Sequence, residues 1–364
     1  AFKIRPINVE ESTNSINSIN SISNEFFDIK FDENYNITSI YDKVNCREVV
    51  KEGQRANVIQ AFEDKPHNYD AWDINIYYQE KMWEVNDVES AEVVENGPVR
   101  TAVKLIRKFL DSIIEQYIYI YNQVPRIDFK TRVDWKEKQI LLKAAFPVDV
   151  HSDKATFEIQ YGNVERPTHW NTSWDVARFE SVAHKWVDLS EDDYGVSLLN
   201  ESKYGHDIKD SVIRISLLKS AIYPNVDADR EVHEFTYSLY PHKGDWREGN
   251  TVQMAYFLNC PMYSIIEDAH TGELPEEFSL AKIDKENVVI EVVKKAEDSE
   301  DIIIRMYECY NRRTKATLTF FKKLSEVWEC DLMENNIERV GVTGNSFEFI
   351  IKPYEIKTFK IRVI

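Results

Sequence analysis

The 364-residue chain is 43% apolar and 30% charged, the composition of a folded globular protein. Its length exceeds what one hydrophobic core serves, which predicts two domains. A formal net charge of −18, from 45 basic and 63 acidic residues, excludes nucleic acid and anionic membrane as partners, because phosphate binding needs clustered Lys and Arg; no apolar run is long enough to span a bilayer.

Residues 2–8 alternate weakly, as at the end of a strand, and 10–24 form an Asn/Ser/Ile repeat that reads as a mobile surface loop. Phe27, Ile29 and Phe31 then alternate with polar residues, 32–35 turns, and 37–41 returns as a hairpin. Tyr69, Asp70, Trp72 and Asp73 lie between Pro66 and an apolar run, 74–78, read as a strand. Ligand groups often project from such a loop-to-strand junction, although turn chemistry with one buried Trp accounts for these residues equally well. Residues 99–109 and 113–121 read as strands, and 126–136 is the clearest of all. There Ile127, Phe129, Thr131, Val133 and Trp135 share one face, and Arg126, Asp128, Lys130, Arg132, Asp134 and Lys136 the other. Such alternation predicts a sheet with one buried and one wet face. Strands continue at 140–150 and 155–161.

Residues 166–180 mix large rings with polar groups more densely than any other segment, with His169, Trp170, Asn171, Trp174, Arg178 and Phe179 in close succession. A sugar ring asks for that mixture: a flat apolar platform for its C–H face, and donors and acceptors for its hydroxyls. Burial of Trp170, Trp174 and Phe179 in a core is the simpler account of the same residues. Further strands are predicted at 194–199, 212–218 and 235–240, with polar loops at 200–206, 225–230 and 241–246. Residues 259–275 read as a connector, followed by short strands at 288–293, 302–307, 318–321, 347–351 and 356–363, spaced like a second, smaller sandwich. With no long amphipathic helix, the chain is predicted to be all-β: residues 1–10 end a preceding segment, 11–270 form a large antiparallel β-sandwich domain, and 271–364 a small C-terminal one.

Chemistry is harder to place. Asp175 and Glu180 are candidates for the carboxylate pair of glycoside hydrolysis, but on a regular strand their spacing points them to opposite faces. His151-Ser152-Asp153 has an H-x-D spacing and reads as a turn. His169, Asp175, His184 and His206 are suitable ligands for a divalent ion, yet nothing in their spacing requires one, so no metal or cofactor is assigned to this chain. Cys46, Cys260, Cys309 and Cys330 are scattered without a C-x-x-C pair, which argues against a zinc knuckle or redox dithiol and fits a reducing, cytoplasmic setting. Nucleotide-binding and serine-hydrolase signatures are absent. The chain opens on Ala1 rather than Met, so further residues are expected before it. From residues alone the reading is an all-β chain with a sugar-binding face.

Several strings carry a resemblance. They are Tyr69-Asp70-Ala71-Trp72-Asp73-Ile74, residues 166–190, Asn200-Glu201-Ser202-Lys203-Tyr204-Gly205-His206, residues 233–242, and Lys352-Pro353-Tyr354-Glu355-Ile356-Lys357-Thr358-Phe359. In this order they resemble the C-terminal region of glycoside hydrolase family 38 α-mannosidases, closest to the cytosolic and bacterial type. The resemblance implies a galactose-mutarotase-like super-sandwich for the large domain. It implies a parent that is a retaining, exo-acting α-mannosidase, with a zinc ion and an aspartate nucleophile in an N-terminal α/β barrel followed by a helical bundle. No counterpart of the barrel's zinc motif is present here, so no nucleophile or metal ligand is carried over. Expected partners are a mannose-containing oligosaccharide and the missing barrel and bundle. Expected rim residues are Tyr69, Asp70, Trp72, Asp73, His169, Trp170, Asn171, Trp174, Arg178 and His206. Relatives often carry Arg where this chain has Lys219. A self-sufficient carbohydrate-binding β-protein is the alternative.

Overall fold

The computed structural model describes residues 19–268, 270–273, 275 and 277–364; the strand end at 2–8 and most of the Asn/Ser/Ile repeat lie outside the described residues. Nearly all regular structure is antiparallel β, in two compact units. The larger comprises the described residues up to Glu158 together with Val164–Met262, and the smaller comprises Ile159–Asn163 and Tyr263–Ile364.

Two sheets form most of the larger unit. One has nine strands, in the spatial order Gly162–Pro167, Lys154–Ile159, Trp186–Ser190, Tyr194–Asn200, Val232–Lys243, Ile127–Asp134, Ser112–Tyr121, Arg100–Phe109 and Asp87–Asn96. The other has six: Ser181–Val182, Gly205–Lys209, Val212–Lys219, Ile140–Pro147, Val58–Glu63 and Met82–Glu84. Period-two alternation turns Ile114, Ile118, Phe129 and Leu239 of the first sheet, and Ile59, Leu142, Ala144, Phe146 and Ile215 of the second, into one shared core. Phe129 and Phe146 meet across the sheets with ring centroids 5.5 Å apart, and Phe129 stacks on Tyr237 at 5.1 Å. Within this core the polar atoms close on each other. Gln116 Nε2 donates to Thr131 Oγ1 (2.9 Å) and to the Tyr237 hydroxyl (2.8 Å), which donates to Asn57 Oδ1 (2.7 Å).

Four sequence readings are corrected. The end of the Asn/Ser/Ile repeat is not a loop: Ser21–Ser23 pairs with Phe27–Phe31, and Ile19 and Ile22 are buried in the large core. Its isoleucines supply the apolar contacts that Asn and Ser lack. The run at 74–78 is not a strand; Ile76–Glu80 is a 3-10 helix whose Asn75 side chain accepts from Tyr77 N, and it turns Tyr78 inward. Residues 241–243 are not a loop, because the strand Val232–Lys243 continues through Pro241, opposite Val196. Arg126 and Asp128 lie on the outward face of their strand yet are buried, because the helix Thr251–Asn259 covers that end of the sheet.

The smaller unit is a sandwich of a three-stranded sheet (Ala281–Ile283, Thr314–Phe320, Ser346–Ile351) and a five-stranded sheet (Val288–Lys295, Ile302–Glu308, Ile356–Val363, Leu324–Cys330, Asn336–Val340). Phe347 and Phe349 from the first meet Phe359 of the second at 4.9 and 5.0 Å, over a core that includes Ile304, Leu318 and Val327.

Candidate functional site

The six-stranded sheet has one face in the large core. Its opposite face carries a chemically dense patch centred on the strand Ile140–Pro147, where alternation turns Leu141, Lys143 and Ala145 away from that core. Lys143 is fully buried and ion-paired with Glu180 and Asp207. Its Nζ also donates to the Tyr78 hydroxyl (3.2 Å), which donates to Glu180 Oε1 (2.8 Å). Arg214 completes the group, with Nε donating to Asp207 Oδ1 at 2.7 Å. Two cations thus face two carboxylates, as burial of charge demands, and Glu180 Oε2 is the carboxylate oxygen left without a hydrogen-bond partner. Burial acts to lower the Lys143 pKa, but the facing Asp207 and Glu180 carboxylates outweigh it and hold the ammonium charged. Burial likewise raises the Tyr78 phenol.

Glu180 is the anchor of the ring-rich segment 166–180. Thr172 caps the short helix Ser173–Val176 in a capping box: Asp175 N donates to Thr172 Oγ1 (3.2 Å), and Thr172 N donates to Asp175 Oδ2 (3.0 Å). Asp175 therefore faces its own helix and Glu180 faces Lys143, so the two point apart and form no catalytic pair. Phe179 packs beside Tyr78, with centroids 6.3 Å apart.

Two neighbouring depressions meet at Phe179. One is an open groove of about 360 Å³ whose lining includes Tyr69, Asp73 and Phe179. The lining of the other includes Trp170, Arg178, Phe179 and Lys209. The 69–73 turn and the 166–180 segment therefore approach one another on the outer side of the six-stranded sheet. Tyr69 opens that turn with φ +54, and its carbonyl accepts from Trp72 N (2.8 Å) and Asp73 N (2.9 Å). Asp70 is tied to the loop that follows the strand Val212–Lys219, where its Oδ2 accepts from Ile222 N at 2.6 Å. The buried Asp64 pairs with Lys219 beside it, and burial raises the Asp64 carboxyl despite that partner.

Of the ten expected rim residues, Tyr69, Asp73, Trp170 and Arg178 line these depressions. Trp72 and Trp174 are 68% and 76% exposed and line neither, Asn171 is exposed, and His169 sits with Nδ1 3.7 Å from Asp175 Oδ2. His206 is in a different place. Its strand neighbour Asp207 faces Lys143, so His206 points the other way, fully buried, with Nδ1 donating to the Tyr204 carbonyl at 3.1 Å. Burial lowers its pKa to about 4 and keeps it neutral. It lies behind the patch and not on a rim. Sequence reading missed Lys143, Asp207, Arg214 and Tyr78. The available signal was a single Lys inside the apolar run Ile140-Leu141-Leu142-Lys143-Ala144-Ala145-Phe146, since a lone Lys is not buried without a partner.

Two other constellations carry no chemistry. Asp188, Ser197 and His242 are in contact, but one imidazole nitrogen, Nε2, faces both Asp188 Oδ2 (2.8 Å) and Ser197 Oγ (3.1 Å). A nucleophilic relay needs the two ring nitrogens on different partners, and all three residues are buried. The imidazole occupies space left by Gly195 and Gly249, where an added Cβ would stand 2.4 Å from its ring atoms. Among the described residues, no three His, Cys, Asp or Glu side chains converge as metal ligands. His184 packs on Tyr204 and His206 lies in the core, so the histidines do not gather.

The model of the glycosyl hydrolases family 38 C-terminal domain matches residues 22–227, and that of the family 38 C-terminal beta sandwich domain matches 287–359. The chain belongs to glycosyl hydrolase family 38. Among curated family 38 relatives, it is 36% identical over 353 residues to alpha-mannosidase G of Dictyostelium discoideum, covering 93% of this chain and 32% of that protein. It is 34% identical over 355 residues to alpha-mannosidase 2C1 of Homo sapiens, covering 96% and 34% respectively. The chain thus spans about a third of the length of these relatives and corresponds to a C-terminal portion of such an enzyme. A crystal structure of an alpha-mannosidase from Enterococcus faecalis V583 shares the fold, with a TM-score of 0.76 and 16% identity, over 94% of this chain and 42% of that one. All four cysteines are free, and among the described residues no helix is long and apolar enough to cross a membrane.

Proposed function

We propose that this chain is the non-catalytic C-terminal part of a cytoplasmic, exo-acting, retaining α-mannosidase, and that its 69–73 turn and 166–180 segment shape the rim of the parent's substrate cleft. The observation that carries this reading is the match to both C-terminal models of the family by a chain whose ring-rich face has its carboxylates engaged in ion pairs and a helix cap. A retaining glycosidase holds its nucleophile and acid/base roughly 5–5.5 Å apart across the bond. Here Glu180 and Asp207 are locked on Lys143, and Asp175 on a helix cap. The nucleophile and the zinc belong to the preceding barrel of the parent, and no step of the reaction passes through a metal held by these residues. Tyr69, Asp73, Trp170 and Arg178 contribute positioning, which gives no turnover by itself.

The test is hydrolysis of an aryl α-mannoside by the purified 364-residue chain and by the full-length parent, each with and without zinc. Turnover by the parent alone is expected. Zinc-dependent turnover that stays with the shorter chain through purification would overturn the reading.

A further inference from the structure

A second groove lies on the larger unit, on the outward face of the nine-stranded sheet. Its volume is about 620 Å³, within the range of roughly 300–1,000 Å³ typical of small-ligand sites. The strands Ile127–Asp134 and Val232–Lys243 pair so that Lys130 stands opposite Thr236, and both line the groove with Glu201. The helix Thr251–Asn259 and the turn after it build one wall with Phe257, Leu258 and Pro261. Floor and wall thus differ in kind, a hydrogen-bonding base beside an apolar side.

The wall is held in place. Arg126 Nη1 donates to the Met254 carbonyl (3.4 Å) while its Nε and Nη2 grip Asp128 at 2.7 and 3.0 Å. Asn259 Nδ2 donates to the Asn200 carbonyl (3.0 Å), and the Tyr240 hydroxyl donates to Gly249 O (2.7 Å) at the helix's other end. On this fixed support the Phe257 ring is 56% exposed. The ring lines the same groove as Lys130, Glu201 and Thr236.

Charge identifies the ligand class. The basic lining residues Arg100, Arg126 and Lys130 are matched in number by the acidic Asp128, Glu201 and Glu234. A phosphate or carboxylate would meet as many anions as cations, so the groove suits a neutral molecule rich in hydroxyls. A flat apolar face beside mixed donors and acceptors suits a pyranose ring, with its C–H face on Phe257 and its hydroxyls on Lys130, Glu201 and Thr236. We propose that this groove is a binding site for a sugar unit of a neutral oligosaccharide, separate from the face that carries Lys143. The inference does not rest on the hydrolase reading, because a chain that plays no part in mannoside cleavage can still bind here.

Isothermal titration of the 364-residue chain with mannotriose, cellotriose and maltotriose tests it. Saturable binding of at least one trisaccharide is expected, with Phe257→Ala and Lys130→Ala each weakening it by about tenfold. Phe257→Tyr, which keeps the ring, should restore it, and Ile350→Ala, at an exposed position of the smaller unit, should leave it unchanged. Phe257 and Lys130 are both exposed, so an unaltered melting temperature separates lost binding from lost fold. No saturable binding of any of the three sugars overturns the proposal. Binding insensitive to Phe257→Ala does the same.

Discussion

His206 and Lys143 are both fully buried titratable residues, and their surroundings drive them to opposite charge states. Lys143 faces two carboxylates and keeps its proton. His206 faces a carbonyl and the apolar core, and its pKa falls to about 4 against an ordinary value near 6.5. A His with a depressed folded pKa favours the folded state fully only above its unfolded pKa. Its contribution is lost as the pH falls from about 6.5 towards 4. His206→Gln, which cannot titrate in this window, should remove about 2 kcal/mol of the stability loss between pH 7 and 4.5. Urea unfolding at several pH values measures this, and parallel pH profiles for the two proteins would refute it. The same residue shows how far sequence reaches at this scale. His206 is visible as a polar residue in a candidate loop, but which side of a strand it takes depends on register. One step of the chain separates it from Asp207 and reverses its direction.

At the scale of elements, the arm that carries Trp170, Trp174 and Arg178 has little regular structure of its own beyond one helical turn and the edge strand Ser181–Val182. Its ties to the sheet include Glu180 on Lys143 and Tyr78, Phe179 on Tyr78, and the Lys209 ammonium over the Trp170 ring at 4.1 Å. Lys143→Ala leaves Asp207 with Arg214 and Glu180 with only the Tyr78 hydroxyl, and breaking a buried pair from one side costs about 3–5 kcal/mol. That loss should appear as a lower urea midpoint, with faster proteolytic cleavage within residues 171–182. A loss below about 1 kcal/mol, the level of an exposed pair, would show that water reaches the cluster and that the arm is held by other means. Strands were legible where apolar and polar residues alternate, as in Ser112–Tyr121, and illegible where short apolar runs fit more than one state. Ile76–Glu80 is such a case, decided by the Asn75 cap and the pull of Tyr78 inward.

On the scale of the whole molecule, each unit has its own core: one joins Phe129, Phe146 and Tyr237, the other Phe347, Phe349 and Phe359. Separate cores predict separate cooperative units. Scanning calorimetry of the 364-residue chain should give a van't Hoff enthalpy below the calorimetric enthalpy. Equality of the two would show that the cores melt as one.

The sequence by itself determined the class and the family. Period-two alternation needs only neighbours along the chain, and the strings shared with family 38 need only their order. It also marked the 69–73 and 166–180 segments, because a dense mixture of rings and polar groups is a local property. Tertiary structure alone decided what these residues do to each other. It joined Lys143 to Glu180 and Asp207 across 37 and 64 positions of chain, and it sent His206 into the core. It also set Phe257 beside Lys130 and Thr236 from distant strands and a helix. Charge pairing and burial depend on distance in space, and that is fixed only when the sheets have paired.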